Sequence, residues 1–325
     1  KWSLTILILV IFCCNTLKVS AQNITVDDSY TAQQLVENVL VNSSCASVSN
    51  FLATGDTFPT GQNSYGYFTN AGGSFPFTDG VVLSTWGANN SIGPYVFYRG
   101  DGNDSSWVGD TDLNQAIGIA STNATVLEFD FTPLTNFLSF DYIFASNEYK
   151  DESPCQYSDG FAFLLKENIP NATYTNLALI PNTTTPVSSI SIHPATPLGT
   201  CAAANANYYN GNNTFSSPIN YAGQTVAMTA QSDVVAGKSY HIKLVIADDK
   251  NQYYDSAVFL KAGSFSPKIN IGSDRLTPNN PICFGEVFTI DTQLPSSYEY
   301  KWFKDNIEIL GETKSTLNVT DTGTY

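Results

Sequence analysis

Any chemistry this chain performs must rest on carboxylates. Glu148, Asp151, Asp159, Asp248, Asp249 and Asp255 stand at the ends of alternating apolar segments or in the short loops beside them. Hard oxygen ligands offered from several loops are what calcium takes, at six- to eightfold coordination. Asp also favours turns for purely local reasons, so position alone does not decide between ligand and turn former. Glu148, Asp159, Asp248 and Asp255 are the expected calcium ligands, because each borders a segment whose alternation marks it as a strand. If the strand beginning at Tyr240 pairs near residues 125–159, the four meet at one end of a sheet. Asp110 and Asp112 belong to the same site, form a second acidic site, or simply make a turn. The chain has no EF-hand loop and no nonapeptide calcium repeat, so a cation site here depends on convergence of separate loops.

Other catalytic groups are scarce. The chain has two histidines, His193 and His241. His241 lies in the alternating run YHIKLVIAD, more often a structural position than a catalytic base. Nucleophile elbows, phosphate loops, His-Glu-x-x-His and Cys-x-x-Cys are all missing from the sequence. Paired acids for glycoside hydrolysis can be drawn from any acidic β-sandwich and single out nothing here. The expectation is a non-catalytic protein.

The elements that must position the acids are strands. In residues 126–131, Leu127, Phe129 and Phe131 point one way and Glu128 and Asp130 the other. In 137–144, Leu138, Phe140, Tyr142 and Phe144 share a face opposite Ser139 and Asp141. A period of two with aromatic and β-branched residues is the mark of half-buried strands. Further strands are expected at 80–85, 159–163, 177–180, 187–192, 225–231, 240–248 and 256–262. Residues 31–40 carry the single expected helix: Thr31 and Gln34 make a capping box, and Leu35, Val36, Val39 and Leu40 share a face. Residues 86–113, including Asp101, Gly102, Asn103 and Asp104, read as a long polar connection, and 200–217 as an exposed loop. Exposed Tyr and Asn in 95–107 and 205–221 are candidates for stacking on sugars. Many short strands with polar connections predict an all-β protein, with a sandwich or jelly-roll-like head and one short N-terminal helix.

Composition places this head outside the cell. Only 13% of residues are charged, 13% are aromatic, and there is a single Met. The net charge of −15 argues against nucleic acid or an anionic membrane as partner, since a negative protein releases no counterions from either. Residues 1–21 read as a secretory signal peptide: a basic start at Lys1, a short apolar run, and Val19-Ser20-Ala21 before Gln22. That apolar run is short for a membrane span, and no transmembrane segment is expected after it. Cys13 and Cys14 leave with the leader. Of the remaining four cysteines, Cys155 and Cys201 are expected to form a disulfide, both lying in polar loops after strands in an oxidising compartment. Cys45 is the competing partner.

The composition changes near Pro267, which divides the chain into a head at 22–266 and a tail at 267–325. Cys283, Trp302 and then Leu317-Asn-Val-Thr-Asp321-Thr-Gly323-Thr-Tyr325 follow the immunoglobulin order, with Tyr325 as the corner tyrosine. The second cysteine of that pattern would fall two residues after Tyr325, so an incomplete Ig-like β-sandwich is expected, with Cys283 unpaired.

The head resembles the choice-of-anchor L domain. The residues that carry the resemblance run in order: Val82-Leu-Ser-Thr85, Gly109-Asp110-x-Asp112-Leu113, Leu127-Glu-Phe-Asp-Phe131, and Leu138-Ser-Phe-Asp-Tyr-Ile-Phe-Ala-Ser146 leading to Glu148-Tyr149. Asp159-x-Phe161-Ala-Phe163, Tyr240-His-Ile-Lys-Leu-Val-Ile-Ala-Asp248 and Tyr254-Asp-Ser-Ala-Val-Phe259 complete them. The family pattern often has two acids before the tyrosine; Asn147 stands at the first here. The resemblance implies a surface or secreted multidomain protein of Bacteroidetes-type bacteria, followed by Ig-like repeats and often a type IX secretion sorting signal. An exported adhesion module for a glycan or protein ligand is the expected function. The runner-up is a carbohydrate-binding accessory region of a secreted polysaccharide-degrading enzyme.

Overall fold

The computed structural model describes residues 22–41, 46–56, 58, 61–70, 72–97, 106–276, 280–283 and 285–325. The leader at 1–21, Cys45, and the turn at 101–104 lie outside the described residues.

Two antiparallel sheets form the head. The larger runs in the order β1 (Thr25–Asp27), β3 (Tyr65–Thr69), β4 (Asp79–Ser84), β13 (Ser256–Lys261), β6 (Phe137–Ser146), β10 (Gly223–Thr225) and β9 (Tyr209–Asn212). β11 (Met228–Asp233) and β14 (Ser266–Lys268) also pair with β6. The second sheet runs β2 (Ala46–Thr54), β5 (Ser121–Pro133), β12 (Tyr240–Asp249), β7 (Gly160–Glu167) and β8 (Thr175–Asn176). β5 and β6 are adjacent in sequence but lie in different sheets, because the chain turns a corner after Pro133.

Alternation explains why the sheets face each other. Leu127, Phe129 and Phe131 of β5, Phe161 and Phe163 of β7, and Leu138, Phe140, Tyr142 and Phe144 of β6 all enter one core. Rings from opposite sheets meet there: Phe140 and Phe163 lie 4.5 Å apart edge to face, and Phe144 and Phe161 stack at 6.2 Å. Such pairs contribute beyond the area they bury. The outer faces are covered too. Ile143 and Ala145, on the other side of β6, join a second cluster with Phe68, Phe75 and Phe259. On the far side of the second sheet, Leu113 packs with Val126, Leu164 and Val245.

Leu113 belongs to a helix, Thr111–Ile117, in the stretch expected to be a polar connection. The helix starts where Asp110 accepts from the Leu113 N–H at 2.8 Å and stops at Gly118, whose φ of 76° places it in the left-handed region. Near the N-terminus the Thr31–Gln34 capping box is present, but the α-turn is only Ala32–Gln34 and continues as a wider π-helix, Leu35–Val41. Five of its seven residues are buried, so packing onto the core has set the winding.

Two expected strands, 177–180 and 187–192, are not strands. Ala178, Ile180, Val187 and Ile192 are buried, but the backbone closes on itself instead: Ile180 N–H donates to Thr185 and Val187 N–H to Ala178. A plug against the core produces the same apolar run as a buried strand.

In the tail, β15 (Phe288–Asp291) pairs with β18 (Thr316–Val319), and β16 (Phe303–Lys304) with β17 (Ile307–Glu308). Ile290, Trp302, Leu317 and Val319 form a small core. Trp302 Nε1 donates to Lys314 O, and the Tyr325 hydroxyl donates to Asp321 O at 3.1 Å.

Candidate functional site: a buried carboxylate cluster

Strand register brings the four expected acids to one end of the sandwich, two on each sheet. On the larger sheet, Ser256 of β13 pairs with Ser146 of β6. Asp255 therefore precedes one strand of that pair, and Glu148 follows the other. On the second sheet, Ala247 of β12 pairs with Gly160 of β7, so Asp248 ends one strand and Asp159 precedes the other. The cluster thus spans the two sheets rather than the end of one.

The side chains are linked by hydrogen bonds across that gap. Glu148 Oε2 accepts from Asp159 N–H at 2.8 Å and from the Ser189 hydroxyl at 3.2 Å. The Ser256 hydroxyl, on the larger sheet, donates to Asp159 Oδ2. Glu148, Asp159 and Asp255 are each 1% exposed and Asp248 is 0% exposed. Asp159 Oδ1 accepts no hydrogen bond. Neither oxygen of Asp248 has a partner at hydrogen-bonding geometry, although the Thr85 hydroxyl and the Asn123 amide lie near enough to favour its charge.

Burial governs the protonation of this group. It pushes the Glu148 carboxyl up to about 8, against the hydrogen bonds from Asp159 and Ser189. Asp159 is raised well above the carboxylate range by burial, and then by the neighbouring charges of Glu148, Asp248 and Asp255. Asp248 is raised in the same way, by burial and then by Asp255. Desolvation and like charge both disfavour the ionised form. Lys250 lowers Glu148, but it is exposed, and its ammonium donates to the Gln156 carbonyl at 2.9 Å. None of Glu148, Asp159 and Asp248 is ion-paired among the described residues.

The comparisons with known proteins bear on the whole sandwich. The family model of the choice-of-anchor L domain matches residues 23–266. The chain belongs to that family. A search of solved structures finds the K2 cleaved adhesin domain of Lys-gingipain at 12% identity, covering 73% of this chain and 98% of that one, with a TM-score of 0.23. At that score the likeness carries no argument. No curated protein matches the chain.

In this choice-of-anchor L domain, Asn147 is buried and its Oδ1 accepts from Ala222 N–H at 3.1 Å. The position that is often acidic in the family therefore holds a loop in place here. Beside the cluster, Cys155 and Cys201 are joined, with Cα atoms 5.7 Å apart, fastening the loop after Glu148 to the long connection before β9. Cys283 is free and exposed.

Asp110 and Asp112 do not join the buried cluster. They lie on the outer face of the second sheet, where Lys243 Nζ contacts Asp110 at 3.0 Å and also contacts Asp112. Burial of the Lys243 ammonium works against its charge, and the hydrogen bonds to Asp112 and Asp110 more than offset this, so its pKa is raised. His241, on the same face, has Nδ1 2.7 Å from Asp130 Oδ1 and Nε2 3.4 Å from Glu128 Oε2. Sequence reasoning noted Glu128 and Asp130 only as the solvent side of β5. The register His241↔Asp130 and Lys243↔Glu128 is what makes them partners. Opposite charges at matched alternating positions of two strands were the available signal.

Two expected surface aromatics are internal. Trp107 is 6% exposed and donates Nε1–H to Ala124 O, and Tyr221 is buried with its hydroxyl bonded to Ser84 and Ser91. Each ring satisfies its polar atom inside the fold. Phe97, Phe215 and Tyr253 are exposed.

Proposed function

We propose that this chain is a non-catalytic, exported binding module of a surface adhesin or matrix-associated protein, carried on an Ig-like unit and taking a glycan or protein ligand. The family match over 23–266 carries this reading, because it covers the entire sandwich and its loops. The internal architecture supports it. The acids of the head's buried cluster have no open cleft in which to meet a substrate, being at most 1% exposed. Catalytic acids and bases must come within hydrogen-bond reach of the reacting group. The solvent side offers binding chemistry instead. Phe97 is exposed, lies 6.2 Å from the Tyr254 ring, and carries the Lys150 ammonium 4.3 Å above it. A rigid head raised on repeated units gains affinity by avidity, so each contact can be weak.

The accessory-region reading has its own support in a cleft of about 570 Å³ between β7, β11 and the start of the tail. Asn136, Lys166, Glu167, Asp233 and Gln293 line it, a polar set of the kind that hydrogen-bonds sugar hydroxyls. A glycan array and a whole-cell binding assay of the full chain test both readings. Binding lost with Phe97→Ala and Tyr253→Ala supports the loop surface. Glycan binding lost only with Lys166→Ala and Gln293→Ala supports the cleft. No binding to any glycan or cell surface would refute the adhesion reading.

A further inference from the structure

We propose that Asn136 clasps the Ig-like tail to the head, so that the two turn in solution as one rigid body and the cleft between them is preformed. Units joined by a short exposed stretch of chain move against each other by default, unless the surface they share holds them. Here that surface is centred on one buried amide. Asn136 lies at the corner between β5 and β6 and is 6% exposed. Its Nδ2 donates to Asn270 O at 2.9 Å and to Thr292 O at 3.0 Å, and its Oδ1 accepts from Asn270 N–H at 2.7 Å. Both donors of the amide are therefore used, one on the connecting chain and one on the tail itself.

Each end of these bonds is anchored in its own unit. On the head side, the Asn136 carbonyl accepts from Val234 N–H at 3.0 Å, just after β11. On the tail side, Thr292 is 5% exposed, and its N–H donates to Ser315 O at 3.0 Å. That bond continues the pairing of β15 with β18 beyond Asp291↔Thr316. Asn136 thus holds the backbone of the tail's own sheet.

The connection between the units has little slack. β14 pairs with β6 as far as Lys268↔Phe137, so the chain leaves the head as part of the larger sheet. Shortly after, Asn270 is caught by Asn136, and its own Nδ2 donates to Asp233 Oδ1 at 3.2 Å. Asn270 Oδ1 then accepts from Gly272 N–H at 3.0 Å, which turns the chain. Further along, the Arg275 guanidinium lies 4.7 Å from the Phe288 ring of β15. The cleft described above has β7 and β11 on one side and Asn270, Gly272 and Gln293 on the other, with Asn136 joining the two. A glycan in that cleft rests on the accessory-region reading; the clasp does not.

Backbone amide relaxation of the full chain, measured by NMR, tests the joint without any ligand. Amides of β5, β6 and β12 and amides of β15 and β18 should report one shared rotational correlation time. Asn136→Ala should shorten that time for β15 and β18 while hydrogen exchange in β5 and β12 stays as in the native chain, a separation that general loosening of the head would not give. Proteolysis within 267–287 follows the population of the open joint. Loss of the three side-chain hydrogen bonds should raise its rate about tenfold. If Asn136→Ala does not fold, Asn136→Asp decides, since it keeps the size and the acceptor, loses both donated bonds, and should free the tail in the same way. A native tail that tumbles faster than the head would overturn the proposal, and so would a folded variant that keeps the native correlation time and cleavage rate.

Discussion

His241 shows how a residue's neighbours set its charge. The hydrogen bond to Glu128 raises its pKa, burial opposes this, and the bond to Asp130 adds to the rise. Asp130 is raised by burial, but hydrogen bonds from Asn50, His241 and Asn168 outweigh that and leave it lowered. Glu128 is lowered chiefly by its bond to His241, against burial. A raised histidine contributes stability that is fully present below its unfolded value of 6.5 and is lost as pH climbs through the folded value. The lowered carboxylates contribute above their unfolded values and lose that contribution as pH falls through their folded ones. The native chain should therefore exceed His241→Gln in Tm by more at about pH 5.5 than at about pH 9. Direct titration by NMR should place His241 above 6.5; a value at or below it would refute the assignment.

Asp110 and Asp112 should separate in the same kind of measurement. Asp110 caps the helix Thr111–Ile117 and also pairs with Lys243, so Asp110→Ala should cost about 1–2 kcal/mol. Asp112 holds only the more exposed side of that ion pair, and Asp112→Ala should cost less than about 1 kcal/mol. Equal losses in urea unfolding would show that the cap is not formed in solution.

At the level of elements, stability is concentrated where β6 meets β7. Phe163 is fully buried and touches Phe140, Phe161 and Tyr142, with ring centroids 4.5, 4.6 and 5.0 Å away. Phe163→Ala leaves a cavity between two sheets that cannot close easily, and should cost about 3–5 kcal/mol. The urea midpoint should fall with the slope unchanged; a change in slope would mean that the sandwich itself has loosened. The disulfide acts on a different element, the long connection ahead of β9. Cys155 and Cys201 are 46 residues apart, and closing a loop of that length stabilises by about 4 kcal/mol in the chain-entropy picture. Peptide mapping should recover the Cys155–Cys201 pair. Recovery of Cys45 bridged to either residue would contradict it.

Across the whole molecule, the two ends of the chain differ in how much they bury. The head has three apolar clusters, two of them on the outer faces of its sheets. The tail has four buried apolar residues in its cluster and two pairs of short strands. Domains keep their own cores and are cut in the exposed chain between them. Limited proteolysis should cleave first within 267–287 and then digest the tail, leaving a fragment near 22–266. Survival of the tail with early loss of the head would refute that division.

Period-two alternation in 126–131, 137–144 and 240–248 was enough to define β5, β6 and β12, because a strand with a buried face writes its face into the sequence. The capping box at Thr31 was legible for the same reason, being a local contact between residues three apart. The helix Thr111–Ile117 was legible in principle, since Asp110 and Gly118 mark its ends, but only one of its residues is buried and the apolar pattern is faint. Sequence position placed Glu148, Asp159, Asp248 and Asp255 at strand ends. Only the fold put β6 and β13 in one sheet and β7 and β12 in the other, and so decided that the four acids face each other across the sandwich. It also sent Asp110 and Asp112 to Lys243 instead of to that cluster. Strand partners as distant in the chain as Ala257 and Ser84 are chosen by how whole faces pack and register. Local sequence records which face is buried, but not which other strand will cover it.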